Sequence, residues 1–178
     1  MIQILITGGT FDKSYNHISG DLFFDKTHVP EMLKRSKCRL NIKVKTLMMI
    51  DSLEMTEKDI EKIIEECQKS SSSRIVITHG TDTMVNTAKK IAEKIKNKTV
   101  ILTGAMIPYA FGSSSDGFFN LGCALSFVQT LPKGKQPVKT ISVSYDSLPG
   151  IISQIKQALT HGQHIYVVVP AIDSDHVT

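Results

Sequence analysis

Two short threonine-bearing turns hold the residues of this chain that could do chemistry: Thr7-Gly8-Gly9-Thr10 and His79-Gly80-Thr81-Asp82-Thr83-Met84. A threonine hydroxyl is a weak nucleophile at neutral pH. To attack an acyl carbon it needs an adjacent base and N–H groups already aimed at the developing oxyanion. Thr10 follows two glycines, which remove side chains from the neighbouring backbone and let a polar atom approach. Taken alone, that turn is better explained as an ordinary Gly-rich turn with a capping threonine. The second turn is denser. Thr78, His79, Thr81, Asp82 and Thr83 crowd one strand end, and capping accounts for only one hydroxyl or carboxylate among them. Thr81 and Asp82 are expected in the first turn of a helix, where free N–H groups and the positive dipole end hold an anion and Asp82 serves as cap.

The elements that must position these residues alternate between strand and helix, the mark of an α/β domain with a mainly parallel sheet. Strands are expected over 2–7, 42–47, 74–78, 99–103, 139–144 and 164–169. Helices are expected near 30–36, 57–69, 82–96, 116–130 and 150–160. Thr56 and Asp59 form a capping pair ahead of Ile60, Ile63, Ile64 and Cys67, which share one face. Phe118, Leu121, Leu125 and Val128 recur at helical spacing and form a buried stripe. Residues 11–29 read as a long polar loop holding Tyr15, Asn16, His17, Gly20 and His28, placed next to Thr10 as a lid. A second loop, 112–115, is rich in Gly and Ser. In a parallel sheet the carboxyl ends of the strands share one edge, so Thr10, Asp51-Ser52, Thr81-Asp82 and Gly104-Ala105 are expected in one crevice.

Composition narrows the class. The 178 residues suit one domain with a substantial core. The formal charge of +4 is spread along the chain without a dense Lys/Arg tract, so neither nucleic acid nor a membrane surface is an expected partner. Cys38, Cys67 and Cys123 are odd in number and widely spaced; they suit neither a disulfide framework nor a zinc knuckle, and the expected compartment is the cytoplasm. No signal peptide or apolar span is expected. The isolated histidines His28, His161, His164 and His176 read as structural. His79 precedes its turn and is not nominated as a base.

Read together, Thr7-Gly8-Gly9-Thr10-Phe11, Asp51-Ser52-Leu53-Glu54-Met55-Thr56, Ile77 to Met84 and Leu102-Thr103-Gly104-Ala105-Met106 resemble the L-asparaginase family. The match runs on through Ser115-Asp116-Gly117 and Phe119-Asn120-Leu121. One such motif is weak; four in register are specific. The chain resembles the short, single-domain members, which keep the N-terminal domain and lack the smaller C-terminal one. The resemblance implies a three-layer αβα, Rossmann- or flavodoxin-like fold. It also implies an amidohydrolase that turns L-asparagine into L-aspartate and ammonia, with L-glutamine as a side substrate and without metal or cofactor.

By the same resemblance, Thr10 is the nucleophile of an acyl-enzyme, and the N–H groups of Gly9 and Thr81 face the oxyanion. Thr81 and Asp82 belong to a second catalytic group, and Tyr15 is the lid tyrosine that orients the nucleophile. Asp51, Ser52, Leu53 and Gly80 line the substrate subsite with Gly9. Ser52 meets the α-carboxylate, Asp82 the α-ammonium, and the Ala105 carbonyl the leaving amide. A homo-oligomer, dimer or tetramer, is the expected assembly.

The chain departs from the family pattern in three places. The lysine that partners Thr81 and Asp82 follows, in the family, a segment that Asp173 to Thr178 resembles, and no such lysine stands here. The open alternatives are a longer chain, a substituting lysine, or an impaired protein that binds aspartate or asparagine without turnover. Leu53 stands where two-domain members place a polar residue on the α-amino group, and the acidic residue that a neighbouring subunit supplies has no evident source. One domain is expected over 1–178, with strong resemblance over 1–131, an insertion or C-terminal-domain remnant over 132–163, and a last strand within 164–178. A phosphate- or nucleotide-binding role for Gly8-Gly9 is disfavoured, because neither a G-x-G-x-x-G nor a P-loop pattern is present.

Overall fold

The computed structural model describes residues 1–130. The strands and helix expected beyond 131, and the region 132–178, lie outside the described residues. Strand β1 (Ile2–Gly8) leads through a 3-10 turn (Thr10–Asp12) into two short strands, β2 (Lys13–Tyr15) and β3 (Leu22–Phe24). Helix α1 (Val29–Arg35), strand β4 (Ile42–Ile50), helix α2 (Glu57–Lys69), strand β5 (Arg74–Thr78) and helix α3 (Met84–Lys94) follow. Strand β6 (Thr99–Thr103), a second 3-10 segment (Tyr109–Ser114) and helix α4 (Gly117–Thr130) complete the described chain.

The main sheet is parallel, in the order β4-β1-β5-β6. From β1 the chain crosses outward to β4, then returns past β1 to β5. The switch point therefore lies between the carboxyl ends of β1 and β5, where open α/β sheets bind ligands. Side-chain alternation builds the two outer layers. Ile2, Ile4, Ile6 and Val76 pack with Val29 and Met32 of α1 and with Leu121, Ala124, Leu125 and Val128 of α4. Leu5, Ile75 and Ile77 face the other way, onto Ile60, Ile63, Ile64 and Cys67 of α2 and Ile91 of α3. The result is three layers, with every described residue of β1 buried because both its faces are covered. Thr56 caps α2 as expected: its hydroxyl accepts from the Asp59 N–H and Asp59 accepts from the Thr56 N–H. Among the described residues no helix is long and apolar enough to cross a membrane.

Four local expectations need correction. The polar loop of 11–29 contains an antiparallel hairpin, β2 with β3, in register Lys13 with Phe24, Ser14 with Phe23 and Tyr15 with Leu22. Strands of three residues are too short to raise a period-2 pattern above the polarity around them. Strand β4 continues beyond 47 to Ile50. Helix α3 starts at Met84 with Thr83 as N-cap and without a side-chain cap bond, so Thr81 and Asp82 lie in the turn before the helix and Asp82 is not its cap. Finally, Phe118 is 37% exposed. The inward stripe of α4 is Gly117, Leu121, Ala124, Leu125 and Val128, and the Phe118 ring lies outside it against Tyr109 and the Arg35 guanidinium.

Candidate active site

The carboxyl ends of all four parallel strands meet at one edge, and their glycines set how closely. Gly9 has φ +72, and a Cβ built on it would stand 2.4 Å from the Gly80 nitrogen. Only the absence of a side chain at Gly9 lets the end of β1 touch the end of β5, and Thr10 and Thr81 are the residues that follow the two glycines in contact. A Cβ on Gly80 would stand 2.3 Å from the Ser52 Oγ, which brings in the segment after β4. One on Gly104, after β6, would stand 2.5 Å from the His79 carbonyl oxygen and 3.3 Å from the Thr81 methyl. The space that glycines free at the first turn is thus filled by neighbouring backbone, not left open to a ligand.

Thr10 is partly exposed, while Thr81 and Asp82 are exposed. Among the described residues none of the three side chains makes a hydrogen bond. The N–H of Gly9 donates to the Ile50 carbonyl at 2.9 Å. It is therefore spent on joining β1 to β4, and the expectation that it faces an oxyanion is corrected. The N–H groups of Thr10 and Thr81 are spent on no hydrogen bond among the described residues. Ser52 is buried, and its Oγ, like the hydroxyl oxygens of Thr78 and Thr87, has no hydrogen-bond partner among the described residues. Its carbonyl accepts from the Thr83 hydroxyl at 3.0 Å, which ties the segment after β4 to the cap of α3. Leu53 is 71% exposed and Ala105 is buried.

On β2 of the hairpin, the Tyr15 ring packs on Phe111 at 5.9 Å and on His17 at 5.2 Å between centroids. Among the described residues no hydrogen bond joins Tyr15 to Thr10.

Several pairings that sequence patterns do not specify hold this edge in shape. His79 is buried, and its Nδ1–H donates to the Gly80 carbonyl at 2.8 Å. Burial pushes its pKa below the ordinary imidazole value, so the ring is neutral. Asp116, at the start of α4, accepts from the N–H groups of Met106 and Ile107 at 3.0 and 3.1 Å. Burial pushes that carboxyl up, but these N–H groups and the Asn120 amide together hold it below the ordinary carboxylate value. Asn120 also donates to the Gly104 carbonyl at 2.9 Å, so α4 fixes the turn after β6. Lys13 bonds Asp51 at 2.5 Å; that bond, then the Leu53 N–H, hold the Asp51 carboxyl below its usual range. The pairings between different segments reach up to 38 residues along the chain; their residues lie mostly within the family motifs, but the spacing of those motifs does not say which groups bond. Among the described residues, no group of three or more His, Cys, Asp or Glu side chains is placed to hold a metal ion.

The root of the hairpin is held by Asp12. One carboxylate oxygen accepts from the Thr27 hydroxyl at 2.9 Å and the His28 N–H at 3.0 Å; the other is buried without a partner. Burial raises this carboxyl above 3.8, more than those two donors lower it. The folded form thus keeps a proton that the unfolded chain has already lost, and stability falls as pH rises from about 3.8 through the raised value. Asp12→Asn keeps the acceptor for Thr27 and His28 and is expected to stay within about 1 kcal/mol of wild type at pH 7 while flattening that slope. Asp12→Ala leaves both donors unpaired and is expected to cost about 1–3 kcal/mol. Urea titrations between pH 4 and 7 measure both; an unchanged slope in Asp12→Asn contradicts the assignment.

Against known proteins, the family model described as "Asparaginase, N-terminal" matches residues 1–142. L-asparaginase 1 of Escherichia coli K12 is 34% identical over 140 residues, which cover 74% of this chain and 41% of the relative. A glutamyl-tRNA(Gln) amidotransferase subunit of Pyrococcus furiosus is 36% identical over 134 residues, covering 69% of this chain and 30% of that protein. The structure of L-asparaginase I from Vibrio cholerae superposes with a TM-score of 0.62 at 28% identity, over 71% of this chain and 40% of that one. The chain therefore spans well under half the length of these relatives.

Proposed function

Because the chain belongs to the asparaginase family, matching it through the N-terminal domain, we propose that it is an amidohydrolase releasing ammonia from the side-chain amide of L-asparagine. The observation that supports this reading is the contact of Gly9 with Gly80 at the switch point, next to Thr10 in one turn and Thr81 in the other. In this reading the Thr10 hydroxyl attacks the amide carbon, and the oxyanion forms against the N–H groups of Thr10 and Thr81. Collapse of the tetrahedral intermediate expels ammonia and leaves an aspartyl ester on Thr10, which water cleaves to L-aspartate and free Thr10. Thr81 and Asp82 assist proton movement. The unpartnered Ser52 hydroxyl takes the substrate α-carboxylate, Asp82 the α-ammonium, and the Ala105 carbonyl the amide nitrogen. Hairpin β2–β3, with Tyr15, is the lid.

Ammonia release from L-asparagine and, in parallel, from L-glutamine tests the reading. Ammonia from the first in excess of the second supports it. Saturable heat on titration with L-aspartate, without ammonia from either amide, identifies a protein that binds and does not turn over. The assembly we propose is a dimer or tetramer, because Phe119 and Phe127 stand 74% and 46% exposed on the outer side of α4. Mass photometry finding monomer alone at working concentration overturns that part.

A further inference from the structure

The hairpin is held at two places, on the segments that follow β4 and β6, the outermost strands of the sheet among the described residues. On one side, the Lys13 Nζ meets the Asp51 carboxylate at 2.5 Å, directly after β4. On the other, the Tyr15 ring meets Phe111 in the segment after β6. Strands β1 and β5 lie between β4 and β6, so the hairpin is moored on both sides of the crevice that Thr10 and Thr81 flank. The Lys13–Asp51 pair is the charged mooring, with side chains only 19% and 26% exposed. An ion pair that far out of water is screened less than a surface pair, and losing one partner strands the other. Lys13 is also braced within the hairpin, its ammonium 5.8 Å from the centre of the Phe24 ring, opposite it in the register. At the other end, Asp51 accepts from the Leu53 N–H at 3.0 Å through its second oxygen. One carboxylate thus holds both the hairpin and the segment containing Ser52.

We propose that Lys13 and Asp51 form a latch that closes the β2–β3 hairpin over the crevice and sets the position of the Asp51-Ser52-Leu53 segment beneath it. Both are positioning residues, and Asp51 serves the substrate through this pair instead of touching it. The inference rests on the reading of the hairpin as a lid.

The test pairs hydrogen exchange with kinetics. Lys13→Met and Asp51→Asn are each expected to speed amide exchange in residues 13–24 about tenfold, with exchange in β1 and β5 unchanged. The swapped double variant, Lys13→Asp with Asp51→Lys, is expected to restore most of that protection. On L-asparagine the single variants are expected to raise KM about tenfold with a smaller change in kcat, since an open lid weakens capture first. Lys45→Met, which breaks a more exposed ion pair with Glu66 away from the hairpin, is expected to change neither readout. Should Asp51→Asn fail to fold, as loss of protection in β1 and β5 would report, Lys13→Gln carries the test by removing the charge while keeping part of the stem.

Unchanged exchange in the single variants overturns the latch, and so does loss of protection that the swap leaves unrestored. The two readings fail separately. Exchange behaving as expected in a protein that releases no ammonia preserves the latch and removes the amidohydrolase, whereas normal turnover with indifferent exchange does the reverse.

Discussion

Thr10→Ala is expected to reduce ammonia release from L-asparagine by about 10⁴-fold or more, the scale on which removing a covalent nucleophile acts, while leaving the fold intact. The fold is expected to survive because the Thr10 side chain makes no hydrogen bond among the described residues and is only partly buried. A truncation there removes a hydroxyl from a crevice and nothing from the core. Thr10→Ser keeps the hydroxyl and is expected to retain measurable activity. Thr81→Val is expected to cost less, about 10²–10³-fold, because it removes a proton-handling group and keeps the Thr81 N–H. Initial-rate ammonia assays on the variants beside wild type separate these outcomes. Wild-type protein releasing no more ammonia than Thr10→Ala would falsify the proposed chemistry; retained heat on titration with L-aspartate would then leave a binding pocket without turnover.

Gly9→Ala is expected to have the largest effect on stability, about 3 kcal/mol or more by denaturant titration, or outright loss of folded protein. Two costs coincide at that position. A φ of +72 is unfavourable for any residue with a Cβ, and the added carbon would stand 2.4 Å from the Gly80 nitrogen, a backbone atom of a central strand end that has little freedom to move. Gly112→Ala separates the two costs. Its φ is +70 and nothing lies within 4 Å of the added carbon, so it bears the conformational cost alone, about 1–3 kcal/mol. Equal losses in the two variants would refute the claim that β1 and β5 are held in direct contact. The same overlap makes Gly9→Ala a functional variant, since any shift that relieves it separates Thr10 from Thr81.

Where local chemistry was sufficient, the chain was legible residue by residue. The span of β5, the span of β6 and the capping box ahead of α2 follow from apolar runs and from a Thr-x-x-Asp spacing that acts within one turn. Residue type does not decide the start of α3, because Thr81, Asp82 and Thr83 are all acceptable caps; the fold selects Thr83. Helical spacing identifies a face only to within one residue, and at the start of α4 the inward position belongs to Gly117, close to Ala105 and Phe11, not to Phe118.

Periodicity and residue type within short windows were enough for the α/β class and for the set of strand ends that bear polar residues, whereas Thr10 as the candidate hydroxyl came from the resemblance of four motifs in register. Which groups are free and which are spent emerged only from the assembled sheet. Gly9 gives its N–H to Ile50, Ser52 is buried with its hydroxyl unpartnered, and Lys13 reaches Asp51 across 38 residues. One cause underlies all three. A hydrogen bond or ion pair forms between groups that the order β4-β1-β5-β6 brings to one edge, and that order is set by the burial of both faces of the sheet, not by any spacing along the chain.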